Sequence, residues 1–105
     1  MAFTNTRGRY ASFGVAASLS SEVIDDIWYV IDNFLKGVFP LQHCIRFEIL
    51  NNHGTVSLRF SQEQMQTSIG FDFSQHFDPF YPMEVYVVDR QGRETVLLPD
   101  EYEMF

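Results

Sequence analysis

From Gln42 onward the apolar residues stop recurring every three or four positions and begin to alternate. That change of period confines the chain to folds in which a helix precedes and covers a sheet. Upstream of it, Val23, Ile24, Ile27, Trp28, Val30, Ile31, Phe34 and Leu35 fall on one side of a helix, and Glu22, Asp25, Asp26, Asp32, Asn33 and Lys36 fill the remaining arc. Ser20 has the side chain of an N-cap, and Leu19 and Ile24 have the spacing of a hydrophobic staple. Gly37 offers a left-handed cap and Pro40 blocks continuation, which predicts a helix over Ser21 to Lys36.

Downstream, Ile45, Phe47 and Ile49 point one way and Cys44, Arg46 and Glu48 the other. After the turn signal Asn51-Asn52-His53-Gly54, Val56, Leu58 and Phe60 alternate with Thr55, Ser57 and Arg59. A symmetric hairpin pairs Ile49 with Val56, Phe47 with Leu58 and Ile45 with Phe60. On the opposite face it sets Arg46 against Arg59, with Glu48 nearby. Met65 to Phe73 also alternates and predicts a third strand, and Ser74 to Pro82, with two prolines among aromatics, predicts an irregular connection. Val85 to Val88 and Glu94 to Leu98 form a second hairpin around Asp89-Arg90-Gln91-Gly92, which carries Asp and Gly where a type I turn prefers them. Arg9 to Val15 is short enough to form one strand, and the N-terminal segment is expected at an edge of the sheet. Residues 1 to 8 read as a loose lead-in and residues 100 to 105 as an acidic tail. The expectation is a single α+β domain over residues 1–105, with one N-terminal amphipathic helix packed on a curved antiparallel sheet of four or five strands. A small five-stranded barrel preceded by a helix is the alternative.

A chain of 105 residues buries about 65% of its unfolded surface, enough for one core. Seven Lys and Arg against 14 Asp and Glu argue against a body that holds nucleic acid or anionic lipid by its field. No apolar run approaches the 18 or so residues of a membrane span, and Phe13 to Ala17 is too short, and too soon cut by serines, for a signal core. Cys44 is the single cysteine, so no intramolecular disulfide forms and a cytoplasmic setting is expected, with Cys44 as a packing residue.

Searches for chemistry return little. His43 and Cys44 are adjacent in a strand and point to opposite faces, His53 belongs to its turn, and His76 beside Asp72 and Asp78 reads as a solvated loop histidine. Asp25, Asp26 and Asp32 lie on a polar helix arc, and the chain has neither a phosphate-cradling Gly-rich loop nor a nucleophile elbow. No catalytic residue, cofactor or metal is expected. The distinctive feature is the aromatic group Phe71, Phe73, Phe77, Phe80 and Tyr81. Eleven Phe exceed what one helix on one sheet must hide, so part of this group is expected at an interface with a second copy or another protein. The favoured reading is a non-enzymatic, self-associating interaction module. A nucleic-acid-binding accessory factor using the Arg46 and Arg59 face comes second, and an enzyme of unknown reaction third.

Arg9-Tyr10-Ala11 and Gly14-Val15 ahead of the helix, Trp28 with Ile31-Asp32 inside it, and Leu41-Gln42 before Phe47-Glu48 occur in an order that resembles a known family. The order continues through Gln62-Glu63, Val85-Tyr86-Val87-Val88-Asp89 and Leu97-Leu98-Pro99-Asp100-Glu101-Tyr102. The family is domain of unknown function 960, small proteins of Gram-positive bacteria and their mobile elements. The chain departs from its pattern at Phe13 and Pro40, where the family has Arg and Tyr. The resemblance implies an intracellular bacterial setting and brings no catalytic residues with it.

Overall fold

The computed structural model describes residues 2–102. Six strands run β1 (Gly8–Ala11), β2 (Cys44–Asn52), β3 (Thr55–Ser61), β4 (Ile69–His76), β5 (Glu84–Arg90) and β6 (Arg93–Leu97). They form one sheet in the order β1-β6-β5-β2-β3-β4, curled into a half-barrel. All pairings are antiparallel except β1 with β6, which is parallel, so the sheet is mixed and six-stranded rather than antiparallel with four or five strands.

Three helices accompany it: α1 (Phe13–Ser18), α2 (Ser21–Val30) and α3 (Pro99–Tyr102). Ser20 caps α2 as expected, its hydroxyl accepting from the Val23 N–H. The helical path continues past Val30 as a single π-turn over Ile31–Leu35, closed by the Lys36 N–H donating to the Ile31 carbonyl, and ends at Gly37 with φ 76°. The expected strand through Val15 stops at Ala11, because the Ser12 hydroxyl accepts from the Val15 N–H and starts α1.

Val23, Ile27, Val30, Ile31 and Leu35 meet the inward residues of the sheet: Ile45, Phe47, Ile49, Val56, Leu58, Phe60, Val85, Val87 and Val96, all buried. Each such side chain contributes about 1.5–3 kcal/mol by leaving water. The β2–β3 hairpin is offset by two residues from the symmetric expectation: Phe47 opposes Phe60, Ile49 opposes Leu58, and Arg59 faces Glu48 instead of Arg46. The cause is the loop. His53 (φ 54°) and Gly54 (φ 93°) form a two-residue turn of type I′, which leaves Asn51 and Asn52 within the ladder. A slide of two residues preserves the faces, so the six apolar side chains still point inward. Gln91 (φ 57°) and Gly92 (φ 92°) make the β5–β6 turn type I′ as well, not type I.

Both chain ends are built in more firmly than their composition suggests. Ala2 and Phe3 are buried, and the Phe3 N–H donates to the buried Asp89 carboxylate at 2.7 Å, so the lead-in docks on the β5–β6 turn. At the other end, Pro99–Tyr102 is helical, and the Glu101 carboxylate accepts from the Ser12 hydroxyl, the Gly14 N–H and the Leu98 N–H. These three donors hold Glu101 below the usual carboxylate range. A Cβ on Gly14 would lie 2.7 Å from the Leu98 side chain and 2.9 Å from Glu101, so these two side chains occupy the space beside the glycine where α1 meets α3. The remainder of the acidic tail, residues 103–105, lies outside the described residues.

Candidate interaction surface

β4 is one of the two outer strands of the half-barrel, bonded among the described residues to β3 alone. It starts later than expected and runs through Ser74–His76, because residues 62–68 make the connection, with Gln64 at φ 72° and the Met65 N–H donating to the Gln62 carbonyl. Its burial alternates along the whole strand, with Ile69, Phe71, Phe73 and Gln75 half-buried on the helix side. Ring-to-ring contacts link β4 to the end of α2, Phe71 to Phe34 at 5.2 Å between centroids and Phe34 to Tyr29 at 5.9 Å. Phe34 is 44% and Tyr29 52% exposed. Phe34 belongs to the inward stripe by helical periodicity, but the π-turn adds a residue to its turn and rotates it out to the rim.

Asp26, Tyr29, Phe34, Gly70, Phe71, Asp72 and Phe73 line a hollow of about 660 Å³ along this rim. Gly70 and Asp72 share a parity opposite to that of Phe71 and Phe73, so both faces of β4 border the same hollow. That occurs where the edge of a strand, with its outward N–H and C=O groups, is what stands open.

Of the aromatic residues singled out in the sequence, Phe71 and Phe73 belong to this rim. Phe77 and Tyr81 do not. They pack edge-to-face at 6.0 Å beside the β2–β3 turn, where the Phe77 N–H donates to the Gly54 carbonyl. Phe80, between them in the β4–β5 connection, is 91% exposed. Phe13, Phe34 and Phe80 are exposed while Phe3, Phe47 and Phe60 are fully buried. Sequence reasoning missed Tyr29 and Phe34 as surface residues, and a sheet-facing helix gives no signal for where its register slips.

Asp26 on α2 closes the hollow from below. Its Oδ1 accepts from the Gln75 side-chain amide at 3.2 Å, while its Oδ2 and the Gln75 Oε1 are buried without partners among the described residues. Burial, reinforced by Asp25 and Glu22, raises the Asp26 carboxyl to about 6. The folded chain therefore holds more protons than the unfolded chain between the ordinary value near 3.8 and about 6, and stability falls as pH rises through that window. Asp26→Asn is expected to remove this loss and to stabilise the fold at pH 7 by about 1 kcal/mol once solvent screening is allowed for. Urea unfolding at pH 4 and pH 7 measures it, and a variant with the wild-type slope between the two would contradict the assignment.

On the convex face, Arg46 and Arg59 do not oppose one another. Arg46 lies 2.7 Å from Glu84 and 3.4 Å from Glu48, and Arg59 forms a forked pair with Glu48 at 2.9 and 3.0 Å. Two cations thus alternate with two carboxylates across β5, β2 and β3, and the face carries no excess of positive charge from this row. The pairing holds Glu48 below the usual carboxylate range. Nearby, Cys44 is half-buried and burial pushes its thiol up, the opposite of what a nucleophilic cysteine needs. Among the described residues no group of three His, Cys, Asp or Glu is placed to hold a metal ion, and no helix is long and apolar enough to cross a membrane.

A third cluster is structural. Arg9 of β1 donates to Glu94 of β6 at 3.0 Å and, through both terminal nitrogens, to Asp32 in the π-turn, with its guanidinium 4.8 Å from the centre of the Trp28 ring. Glu94 is fully buried and also accepts from the Thr6 hydroxyl at 2.6 Å. Arg9 holds Asp32 below the usual carboxylate range. The residues that carry the family resemblance near the N-terminus, Arg9, Trp28 and Asp32, therefore meet at one point that ties the sheet edge to the helix.

Fold and surface together define an α+β half-barrel whose outer strand β4 carries an aromatic rim. The chain belongs to the DUF960 family, described as a staphylococcal protein of unknown function, whose model matches residues 8–101. It is similar to a crystal structure of a protein of unknown function from Enterococcus faecalis, at 45% identity and a TM-score of 0.87 over 90% of each chain. No curated protein matches it.

Proposed function

We propose that the protein is a non-enzymatic interaction module of the bacterial cytoplasm that pairs with a second copy of itself along β4. What supports the reading is the hollow bordered by both faces of β4 and walled by Tyr29 and Phe34: it offers a strand of eight residues with unpaired backbone groups beside exposed rings. The strand contains no Lys and no Pro, although its pairing with β3 shifts register between Thr55 and Ser57, opposite residues 73–75.

Antiparallel pairing of two identical strands in a continuous sheet must keep inward residues opposite inward residues, which leaves two central registers. Centred on Asp72, the pairing would set the two Asp72 carboxylates face to face, a destabilising contact. Centred on Phe73, it stacks Phe73 on its equivalent, sets Phe71 opposite Gln75, and places Asp72 opposite Ser74, which can donate to it. The second register has no like-charge contact, and the resulting twofold is self-complementary as a symmetric dimer requires.

Phe34→Lys is expected to weaken self-association at least tenfold while leaving the fold intact, because Phe34 is already half in water. Sedimentation equilibrium over a concentration series tests the reading. Wild type should move from 12.3 kDa towards twice that mass and the variant should remain at 12.3 kDa. Indistinguishable association curves for the two proteins would remove the aromatic rim from the interface.

A further inference from the structure

Asp26 and Gln75 join α2 to β4 at the place where β4 departs from its ladder. The pairing passes from Ser57 opposite Asp72 to Thr55 opposite His76, so the single residue Val56 stands across from residues 73–75. A bulge of this kind leaves backbone groups outside the ladder and bends the strand. Over this stretch β4 reaches α2 through a side chain, the Gln75 Nε2 donating to the Asp26 Oδ1 at 3.2 Å. Phe73 has the same burial parity as Gln75 and borders the hollow that Asp26 also borders.

The contact is half made. Asp26 Oδ2 and Gln75 Oε1 are both buried, both can only accept while Asp26 is ionised, and neither has a partner among the described residues. A carboxylate and a carboxamide can share one hydrogen bond, because only the amide donates. A carboxylic acid and a carboxamide can share two, because each then offers one donor and one acceptor. The surroundings favour the acid. Burial first, then Asp25 and Glu22 of the same helix, raises the Asp26 carboxyl to about 6 against the Gln75 hydrogen bond, which lowers it. On β4, Asp72 and His76 have the parity opposite to Gln75 and lie on the other face, where the Ser57 hydroxyl donates to Asp72. Tyr29 is the other titratable group that α2 brings to the hollow.

We propose that the Asp26–Gln75 contact is a proton-operated latch: with a proton on Asp26 Oδ2 it closes into a two-bond acid–amide pair that holds residues 73–75 against α2, and without that proton it slackens. Closed, the latch steadies Phe73 at the centre of the register along which two copies pair, so association is tighter in mild acid than at neutral pH. This control of association rests on the β4 pairing proposed above, whereas the latch itself does not.

NMR titration of dilute protein reads the latch alone. The Asp26 carboxyl carbon and the Gln75 side-chain amide should shift together with one midpoint at about 6. In Asp26→Asn, whose amide offers Gln75 a donor and an acceptor at every pH, the Gln75 signal should not titrate. Sedimentation equilibrium at pH 5 and pH 7.5 reads the coupling. Wild type should associate about fivefold more weakly at pH 7.5 than at pH 5, after dividing out the change seen in Asp26→Asn, which carries the general effect of net charge. The variant should also associate more tightly than wild type at pH 7.5. A midpoint near the ordinary 3.8, or a Gln75 signal that does not follow Asp26, would overturn the latch. Equal pH dependence of association in the two proteins would overturn its control of pairing. A wild type that stays monomeric at both pH values would remove the pairing and its control together, and the Gln75 titration would still decide the latch.

Discussion

Arg9→Ala is expected to lower the free energy of unfolding by about 3–5 kcal/mol, the usual cost of removing one partner from a buried ion pair. The size follows from Glu94. Its carboxylate is fully buried, and without Arg9 it would keep only the Thr6 hydroxyl and whatever water enters. The same substitution frees Asp32 from its forked contact and removes the cation from the face of Trp28, both at a half-exposed site where the loss is smaller. Removing the charge on both sides, in Arg9→Met with Glu94→Met, should recover much of the loss, because the penalty arises from an uncompensated charge rather than from missing attraction. The Asp32 share depends on pH with a definite sign. Arg9 depresses its carboxyl below the unfolded value, so this stabilisation is present above the ordinary carboxylate range and disappears as pH falls through the depressed value. Urea denaturation of the single and double variants measures both effects. A loss under 1 kcal/mol for Arg9→Ala would mean that Glu94 reaches water.

Phe3→Ala is expected to cost about 3–5 kcal/mol, as for other fully buried aromatics cut to alanine. Phe3 has no exposed surface and adopts φ 62°, a backbone conformation that side chains rarely take. Its N–H is one of two donors to the buried Asp89 carboxylate, the other being Gly92 in the β5–β6 turn. The residue therefore fills the core end and fixes the turn that carries Arg90 and Arg93, so truncation should lower the melting temperature and loosen the turn together. Thermal melts, with amide exchange at Gly92 as the local readout, test this. A variant that melts with wild type would return the N-terminal segment to a loose lead-in.

These two positions also mark where the sequence was legible and where it was not. Alternation in β2, β3 and β5 and the 3.6-residue stripe of α2 identified the inward residues, because burial on one face leaves a periodic trace. The β2–β3 register was not legible. Parity is unchanged by a two-residue slide, and only the I′ geometry of His53-Gly54 decides between the alternatives. Phe3 was missed because a single aromatic residue in an aperiodic segment carries no pattern. β1 was assigned to an edge, but its parallel pairing with β6 joins residues about 85 positions apart, which no local signal records. Glu101 reads as part of an acidic tail; its carboxylate caps α3 locally through the Leu98 N–H, and the tertiary approach of α1 adds the Ser12 and Gly14 donors, which no local signal records.

The candidate surface divides in the same way. Phe71 and Phe73 were legible as rings on an alternating third strand, but the outer position of that strand was not. Phe34, which completes the rim with Tyr29 of α2, was hidden by a π-turn that leaves the helical pattern of the sequence undisturbed. Arg46 and Arg59 looked like a basic face until the register set Glu48 between them.

Amide hydrogen exchange along Ile69–His76, followed as a function of protein concentration, tests the pairing of β4 most directly. The outward N–H groups of this strand have no bonding strand beside them in a single copy and gain one only when a second copy docks. Their exchange should slow as concentration rises, the slowing should centre on Phe73, and it should vanish in Phe34→Lys. Exchange rates along β4 that are independent of concentration, at concentrations where the protein is otherwise shown to associate, would contradict the account.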